Sequence, residues 1–307
     1  MHVYRQFNHL PPLQNPVLTI GVFDGVHLGH VQILRQVCLE SEKVHGTPVV
    51  ITFDPHPRKV LEHNKKNSLF ILTTLEEKLS LFEKNGIEHV MVVHFDEAFA
   101  HQTAEAYIAD FLVNNFHPHT IILGYDHRFG KDRKGDYHLL ELAGEKYHFL
   151  VKEIPEQVIN HIAISSTRIR EALQGGDILS ANELLGYPYH FSGEVIHGNK
   201  RGRTIGFPTA NILIKENEKL IPAVGVYGVR VQLDDDEFKG MMNIGYRPTV
   251  DGTSLTIEVH ILDFDRDIYH STLHISLLKR IRDEKKFSGL EELKKQLEKD
   301  REEAYLD

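Results

Sequence analysis

One cysteine, Cys38, is present in 307 residues, so no internal disulfide can form and no cysteine-based zinc site can be assembled. No run of 18 apolar residues occurs, which is about the length a membrane-spanning helix needs. The opening stretch MHVYRQFNHLPPL lacks the charged-then-apolar layout of a signal peptide. A GxxxxGK[ST] match is also missing, which excludes a P-loop. Excess positive charge is absent: the formal net charge is −9, which argues against a broad nucleic-acid surface despite the local patch KRGR. These absences lead to the expectation of a cytoplasmic protein with no nucleic acid and no membrane; the further expectation of a monomer or weak homo-oligomer does not rest on them.

What is present is ordinary globular material. Hydrophobic residues make up 41% and charged residues 26%, and the length allows two cores. Up to about residue 186, short apolar runs alternate with amphipathic stretches. Strands are expected at 17–23 (VLTIGVF), 49–53 (VVITF), 89–95 (HVMVVHF), 120–124 (TIILG) and 148–154 (HFLVKEI). The middle three read as continuous apolar runs, suited to strands buried on both faces of a parallel sheet. Helical patterns lie between them. One begins near His30 and stops at Gly46, a second opens with Thr74 and Glu77 in capping-box spacing, and a third covers TAEAYIADFLVNNF. Strand–helix–strand repetition predicts right-handed crossovers and a Rossmann-like open sheet with helices on both faces.

From about residue 187 the rhythm changes. FSGEVIHG, GVYGVRVQL, FKGMMNIG, SLTIEVHIL and STLHISLLKRI are short strand-like segments joined by turn residues, which predicts a small antiparallel barrel or sandwich. A final helix is expected over SGLEELKKQLEKDREEA, with Ser288 and Glu291 in capping-box register and Leu290, Leu293 and Leu297 on one face. The expected domains are therefore 1–186 and 187–307.

Two constellations carry chemistry in the first half. GVFDGVHLGH follows a buried strand and opens a helix. A helix start offers unpaired N–H groups and a positive dipole end, worth roughly 0.3–1 kcal/mol per favourable charge. Gly25 and Gly29 let a phosphate approach the backbone, and His27 and His30 lie one turn apart on the same side. As a pair they are suited to steady negative charge on a transferring phosphoryl centre; a capping or packing role is the alternative. The stretch ISSTRIREAL places Ser165 or Ser166 as the cap of a second anion-ready helix start. Arg168 and Arg170 are two apart, so they cannot both face one site.

Four blocks, GVFDGVHLGH, TFDPHPRKVL, GYDHRFGKDRKGD and ISSTRIREAL, resemble the adenylyltransferase module of bacterial bifunctional riboflavin kinase/FAD synthetases. GNKRGRTIGFPTANI, PAVGVYGV, NIGYRPTV, IEVHILDFDRDIY and IRDEKKF are similar to that family's riboflavin kinase module. The resemblance spans nearly the whole chain in order. It implies two ATP-dependent steps: phosphorylation of riboflavin to FMN, then adenylylation of FMN to FAD with release of pyrophosphate. ATP is the implied co-substrate and Mg²⁺ the implied metal, with riboflavin, FMN and FAD as small-molecule partners.

The resemblance also implies residue roles. In the adenylyltransferase module, His27 and His30 steady the α-phosphate of ATP, while Ser166, Thr167 and Arg170 hold the triphosphate. Gly21, Phe23, Asp24, Gly25 and Gly29 complete the ATP contact, and Asp54, His56, Arg58 and Asp126 lie towards the flavin. His127 stands where the family usually carries an aromatic such as phenylalanine. In the kinase module, Gly198, Lys200, Gly202, Arg203 and Gly206 form the ATP cradle. Thr209 and Asn211 are hard oxygen donors for Mg²⁺, Glu258 is the general base towards the riboflavin hydroxyl, and Arg282 belongs to a flap over the flavin.

Three other readings compete. One module could be silent; the pockets could store or sense flavin without turnover; or an HxGH nucleotidyltransferase could act on another acceptor or an RNA. The unbroken HxGH, ISSTRIR, PTAN and Glu258 positions count against the first two, and the acidic charge against RNA.

Overall fold

The apolar runs VLTI, VVITF, VMVV and TIIL become strand segments that are buried along their length. Among the residues described by the computed structural model (1–62, 69–125, 127–154, 164–198, 201–249 and 252–305), the first sheet contains β1 (His2–Tyr4), β2 (Val17–Ile20), β3 (Pro48–Asp54), β4 (His89–His94), β5 (Thr120–Gly124) and β6 (Leu150–Ile154). Their order is β1-β4-β3-β2-β5-β6, and every pairing is parallel. The core beneath it gathers Leu18, Ile20, Val49, Ile51, Met91 and Ile121 against Phe111, Leu112 and Phe116.

Topology decides where a ligand can sit. From β2 the chain adds β3 and β4 on one side, then returns to place β5 and β6 on the other. The reversal opens a crevice at the carboxyl ends of β2 and β5, the place where open parallel sheets bind ligands. GVFDGVHLGH leaves β2 and GYDHRFG leaves β5, so two of the quoted blocks flank this crevice.

Boundaries differ from expectation for identifiable reasons. β2 ends at Ile20 because the chain turns at once: Phe23 and Val26 take φ values of +51° and +34°. The helix α1 (Leu28–Lys43) starts two residues earlier than its apolar pattern suggests, with His27 as its cap. A short helix, α2 (Pro57–Leu61), follows β3. In α3 (Leu75–Lys84) the capping box between Thr74 and Glu77 is formed as expected. The third helix runs through Ala104–Ala106, Tyr107–Val113 and Asn114–Phe116, its middle segment π-wound. The strand β1 was not expected; it exists only through its pairing with β4.

The second sheet closes on itself. β7 (His190–Ile196), β8 (Ala210–Leu213), β9 (Gly225–Leu233), β10 (Asp236–Thr249), β11 (Gly252–Ile261) and β12 (Thr272–Arg282) form an antiparallel barrel in the order β10-β11-β8-β7-β12-β9. Burial alternates along β7 with the strand period of two. Phe191, Val231, Met242, Val259 and Ile275 fill the interior.

The closing helix, Leu290–Tyr305, corrects two expectations. Its start is held by Glu292, whose carboxylate accepts from the Ser288 amide and hydroxyl, so Glu291 is not the capping partner. Leu290 is 64% exposed, and the buried residues of this helix are Asp300 and Ala304. Asp300 tolerates burial because Arg282 grips it with Nε and Nη2, at 2.9 and 2.6 Å.

The chain forms two compact units, Met1–Ser166 and Thr167–Asp307. The helices Ser166–Gly175 and Ile178–Leu185 thus cluster with the barrel, although the change of sequence rhythm comes later, near 186.

Candidate active sites

The first site is built on the turn between β2 and α1. His27 caps α1, its Nδ1 accepting from the His30 amide at 3.4 Å. One turn apart, the two imidazoles stack at 3.6 Å between ring centroids and 16° between planes. The Phe23 ring meets His30 edge-on at 5.1 Å and Phe82 at 5.5 Å, which wedges the pair in place. Gly21 leaves room for this: a Cβ there would lie 3.1 Å from the Phe23 ring. His30 Nδ1 is buried without a hydrogen-bond partner among the described residues. Burial, with His27 and the Lys78 ammonium nearby, holds the His30 pKa well below the ordinary histidine value. His30 is therefore neutral at pH 7 and carries a ring N–H.

Asp24, expected at the ATP contact, joins the hydrogen-bond network of the turn. Its carboxylate accepts from the Leu72 amide at 2.9 Å and the Thr73 amide at 3.1 Å, while the Thr73 hydroxyl accepts from the Gly25 amide at 3.0 Å. These bonds tie the turn to the segment before α3. Gly25 needs its glycine, since its φ is +85°. Ser166 also reaches this turn, its hydroxyl donating to the Asp24 carbonyl at 2.9 Å. Thr167 and Arg170 follow on the helix that begins at Ser166.

On the flavin side of the expectations, Asp54 ends β3, where its carboxylate lies 3.9 Å from the Arg5 guanidinium. His56 caps α2 by accepting from the Arg58 amide, and Arg58 pairs with Glu62 at 3.5 Å. Asp126 lies outside the described residues. His127 follows it beyond β5, its ring 6.0 Å from that of Phe129. Its Nε2 is buried without a partner among the described residues. Burial, with the Arg133 charge, pushes its pKa down to about 4.

The second site lies on the barrel wall. Glu258 on β11 is paired in register with Asn243 on β10 and with Asn211 on β8. Its carboxylate accepts from the Arg247 guanidinium. Asn211 in turn approaches Gly198 so closely that any Cβ on Gly198 would collide with the Asn211 amide. His260, two residues from Glu258 on the same face of β11, has Nδ1 2.7 Å from the Pro208 carbonyl, which ties β11 to the PTAN segment. Gly202 makes the preceding turn by accepting from the Phe207 amide at 2.9 Å. Arg203 and Thr209 are exposed, as is Gly206, while Asn211 is half-buried. Lys200 lies outside the described residues. Arg282, expected near the flavin, is committed to Asp300 and stands 5.7 Å over the Phe287 ring.

Among the described residues, no group of three His, Cys, Asp or Glu side chains is placed to hold a metal ion. Thr209 and Asn211 are neutral oxygen donors of the kind Mg²⁺ accepts when phosphates supply the charge. No helix among the described residues is long and apolar enough to cross a membrane.

Residues 11–168 match the model of the FAD synthetase family, and residues 185–306 match that of riboflavin kinase. A bifunctional riboflavin kinase/FMN adenylyltransferase from Haemophilus influenzae is 41% identical over 95% of this chain and 94% of its own length. The protein of the same description from Listeria monocytogenes is 42% identical over 93% of this chain and 90% of its own. The chain belongs to the bifunctional riboflavin kinase/FMN adenylyltransferase family. A crystal structure described as a macrolide-efflux protein from Streptococcus pneumoniae has the same fold along the whole chain, with a TM-score of 0.89, 32% identity and coverage of 100% and 99%.

Within this family framework, three residues with structural claims on the two sites had been left without a role in the sequence. Arg247 sits in the quoted block NIGYRPTV, yet nothing local reveals that it reaches Glu258 from the neighbouring strand. His260 is two residues past Glu258, and its bond to Pro208 spans 52 positions. Lys78 offered the one readable signal: a charged residue four positions before Phe82 on the buried face of α3.

Proposed function

We infer that this chain makes FMN and then FAD, using ATP at each step in a separate module, with 1–186 serving adenylyl transfer and 187–307 serving riboflavin phosphorylation. The observation that carries the reading is the stacked His27–His30 pair capping α1 at the sheet's topological switch point, in the half of the chain that matches FAD synthetase. An FMN phosphate is already anionic at neutral pH, so adenylyl transfer needs alignment and charge stabilisation rather than a general base. The neutral His30 imidazole, the His27 ring stacked on it and the helix start of α1 suit that task. Ser166, Thr167 and Arg170 are assigned to the triphosphate, and Gly21, Phe23, Asp24, Gly25 and Gly29 to the rest of the ATP contact, with Asp24 also holding the turn in shape. Asp54, His56, Arg58 and Asp126 are assigned to the flavin side.

Riboflavin phosphorylation starts from a neutral alcohol and does need a base. Glu258 is assigned to it, with Arg247 orienting the carboxylate. Gly198, Lys200, Gly202, Arg203 and Gly206 form the ATP cradle. When bound, Mg²⁺ would neutralise charge on the ATP phosphates, and Thr209 and Asn211 are the residues that would hold it. Arg282, held by Asp300, is assigned to the flap over the flavin.

The test follows each step by its own by-product. Riboflavin with ATP should release ADP, and FMN with ATP should release pyrophosphate. Absence of either product from folded protein would remove that module's assignment.

A further inference from the structure

α3 carries a cation where its pattern calls for an apolar side chain. Lys78 is 6% exposed and shares a buried face with Phe82, four residues on. Removing an ammonium from water costs several kcal/mol unless it is well partnered. Among the described residues, the hydrogen bond Lys78 makes is from Nζ to Thr52 Oγ1, at 3.5 Å. The Thr52 hydroxyl donates onward to the Val22 carbonyl at 3.2 Å. The ammonium is thus linked through one hydroxyl to the turn that carries His27 and His30.

The charges around it are of both signs. Asp24, on the turn, has its oxygens turned to the Leu72 and Thr73 amides. Asp54, on β3, lies near Arg5. Lys59, on α2, adds a like charge, and the ammonium acts electrostatically on His30 of α1, which is stacked on His27. Burial lowers the Lys78 pKa while Asp24 and Asp54 pull it the other way.

We propose that Lys78 is a positioning residue for adenylyl transfer, holding a buried positive charge beneath the β2–α1 turn that draws the anionic triphosphate of ATP to that turn. This rests on the assignment of that turn to the adenylyl site. A buried point charge acts through a low-dielectric medium, so its pull on a phosphate is far stronger than that of a solvated lysine. After burial and His27, it also disfavours a positive charge on His30.

The test uses the full-length enzyme, with its riboflavin kinase rate as an internal control of folding. Lys78→Met should lower kcat/KM for ATP in adenylylation about 10- to 100-fold, the range for a group acting through another. The kinase rate should stay unchanged. The His30 ring titration, followed by NMR, should move up in pH, and Lys78→Arg should recover part of the rate. Normal adenylylation in Lys78→Met, with His30→Ala impaired, would overturn the proposal. Normal adenylylation in both variants would instead overturn the site assignment. Should Lys78→Met fail to fold, the wild-type lysine Nζ resonance decides. The Lys78 titration should move up when α,β-methylene-ATP binds, and a titration unmoved by the nucleotide would overturn the proposal.

Discussion

Arg247 on β10 and Glu258 on β11 form an ion pair along the wall of the barrel, with the carboxylate side chain only 18% exposed. A base candidate held in this way is oriented before substrate arrives. Arg247→Ala should therefore lower the kinase kcat by about 10- to 100-fold, the cost of a misplaced catalytic group, with adenylylation unchanged. In a Glu258→Gln background the same replacement should add little, because residues that act as a unit are not additive. Full additivity in a double-mutant cycle would show that Arg247 works independently.

Gly198 is a glycine because Asn211 fills the space where its side chain would go. Gly198→Ala should displace the Asn211 amide and lower riboflavin phosphorylation at least about 10-fold, while FAD formation from supplied FMN continues. Equal kinase rates in the two proteins would show that Asn211 can move without consequence.

His127 makes folding sensitive to mild acid. Its folded pKa of about 4 lies below the unfolded value of 6.5, so between those limits the unfolded chain binds the extra proton. Its contribution is fully present above pH 6.5 and is lost as pH falls towards about 4. The loss amounts to up to about 3 kcal/mol. Between pH 7 and pH 5, His127→Phe should lose less thermal stability than the wild type. Identical losses would contradict the burial of this imidazole.

The closing helix depends on one buried carboxylate. Asp300→Ala leaves the Arg282 guanidinium without its bidentate partner and should destabilise the barrel by about 3 kcal/mol. A fall in the melting temperature, with Arg282→Met/Asp300→Leu recovering part of it, is the expected result. An unchanged melting temperature for Asp300→Ala would show that the pair is neutral to stability.

Legibility in the sequence followed the range of the interactions. VVITF and TIILG announced their strands because burial on both faces leaves a continuous apolar run. HVY did not announce β1, since an exposed edge strand of 3 residues owes its existence to β4. The His27–His30 pair was readable because both residues and the helix they open are neighbours in the chain. The ATP contact of Asp24 is implied by the family resemblance, whereas its bonds to Leu72 and Thr73, 48 and 49 positions away, are visible only in the fold. Arg247 and His260 matter through contacts that only the closed barrel creates. Leu290 followed the apolar spacing of the last helix, but the barrel contact begins further along, so that the buried positions include Asp300.

The central claim is that one chain holds two chemically distinct sites that fail separately. The most direct measurement takes Glu258→Gln and the double variant His27→Ala/His30→Ala and assays each for riboflavin to FMN and for FMN to FAD. The account predicts a crossed result. Glu258→Gln should lose the first step and keep the second, and the histidine variant should keep the first and lose about 10²–10³ or more of the second. Parallel loss of both steps in either folded variant would contradict it.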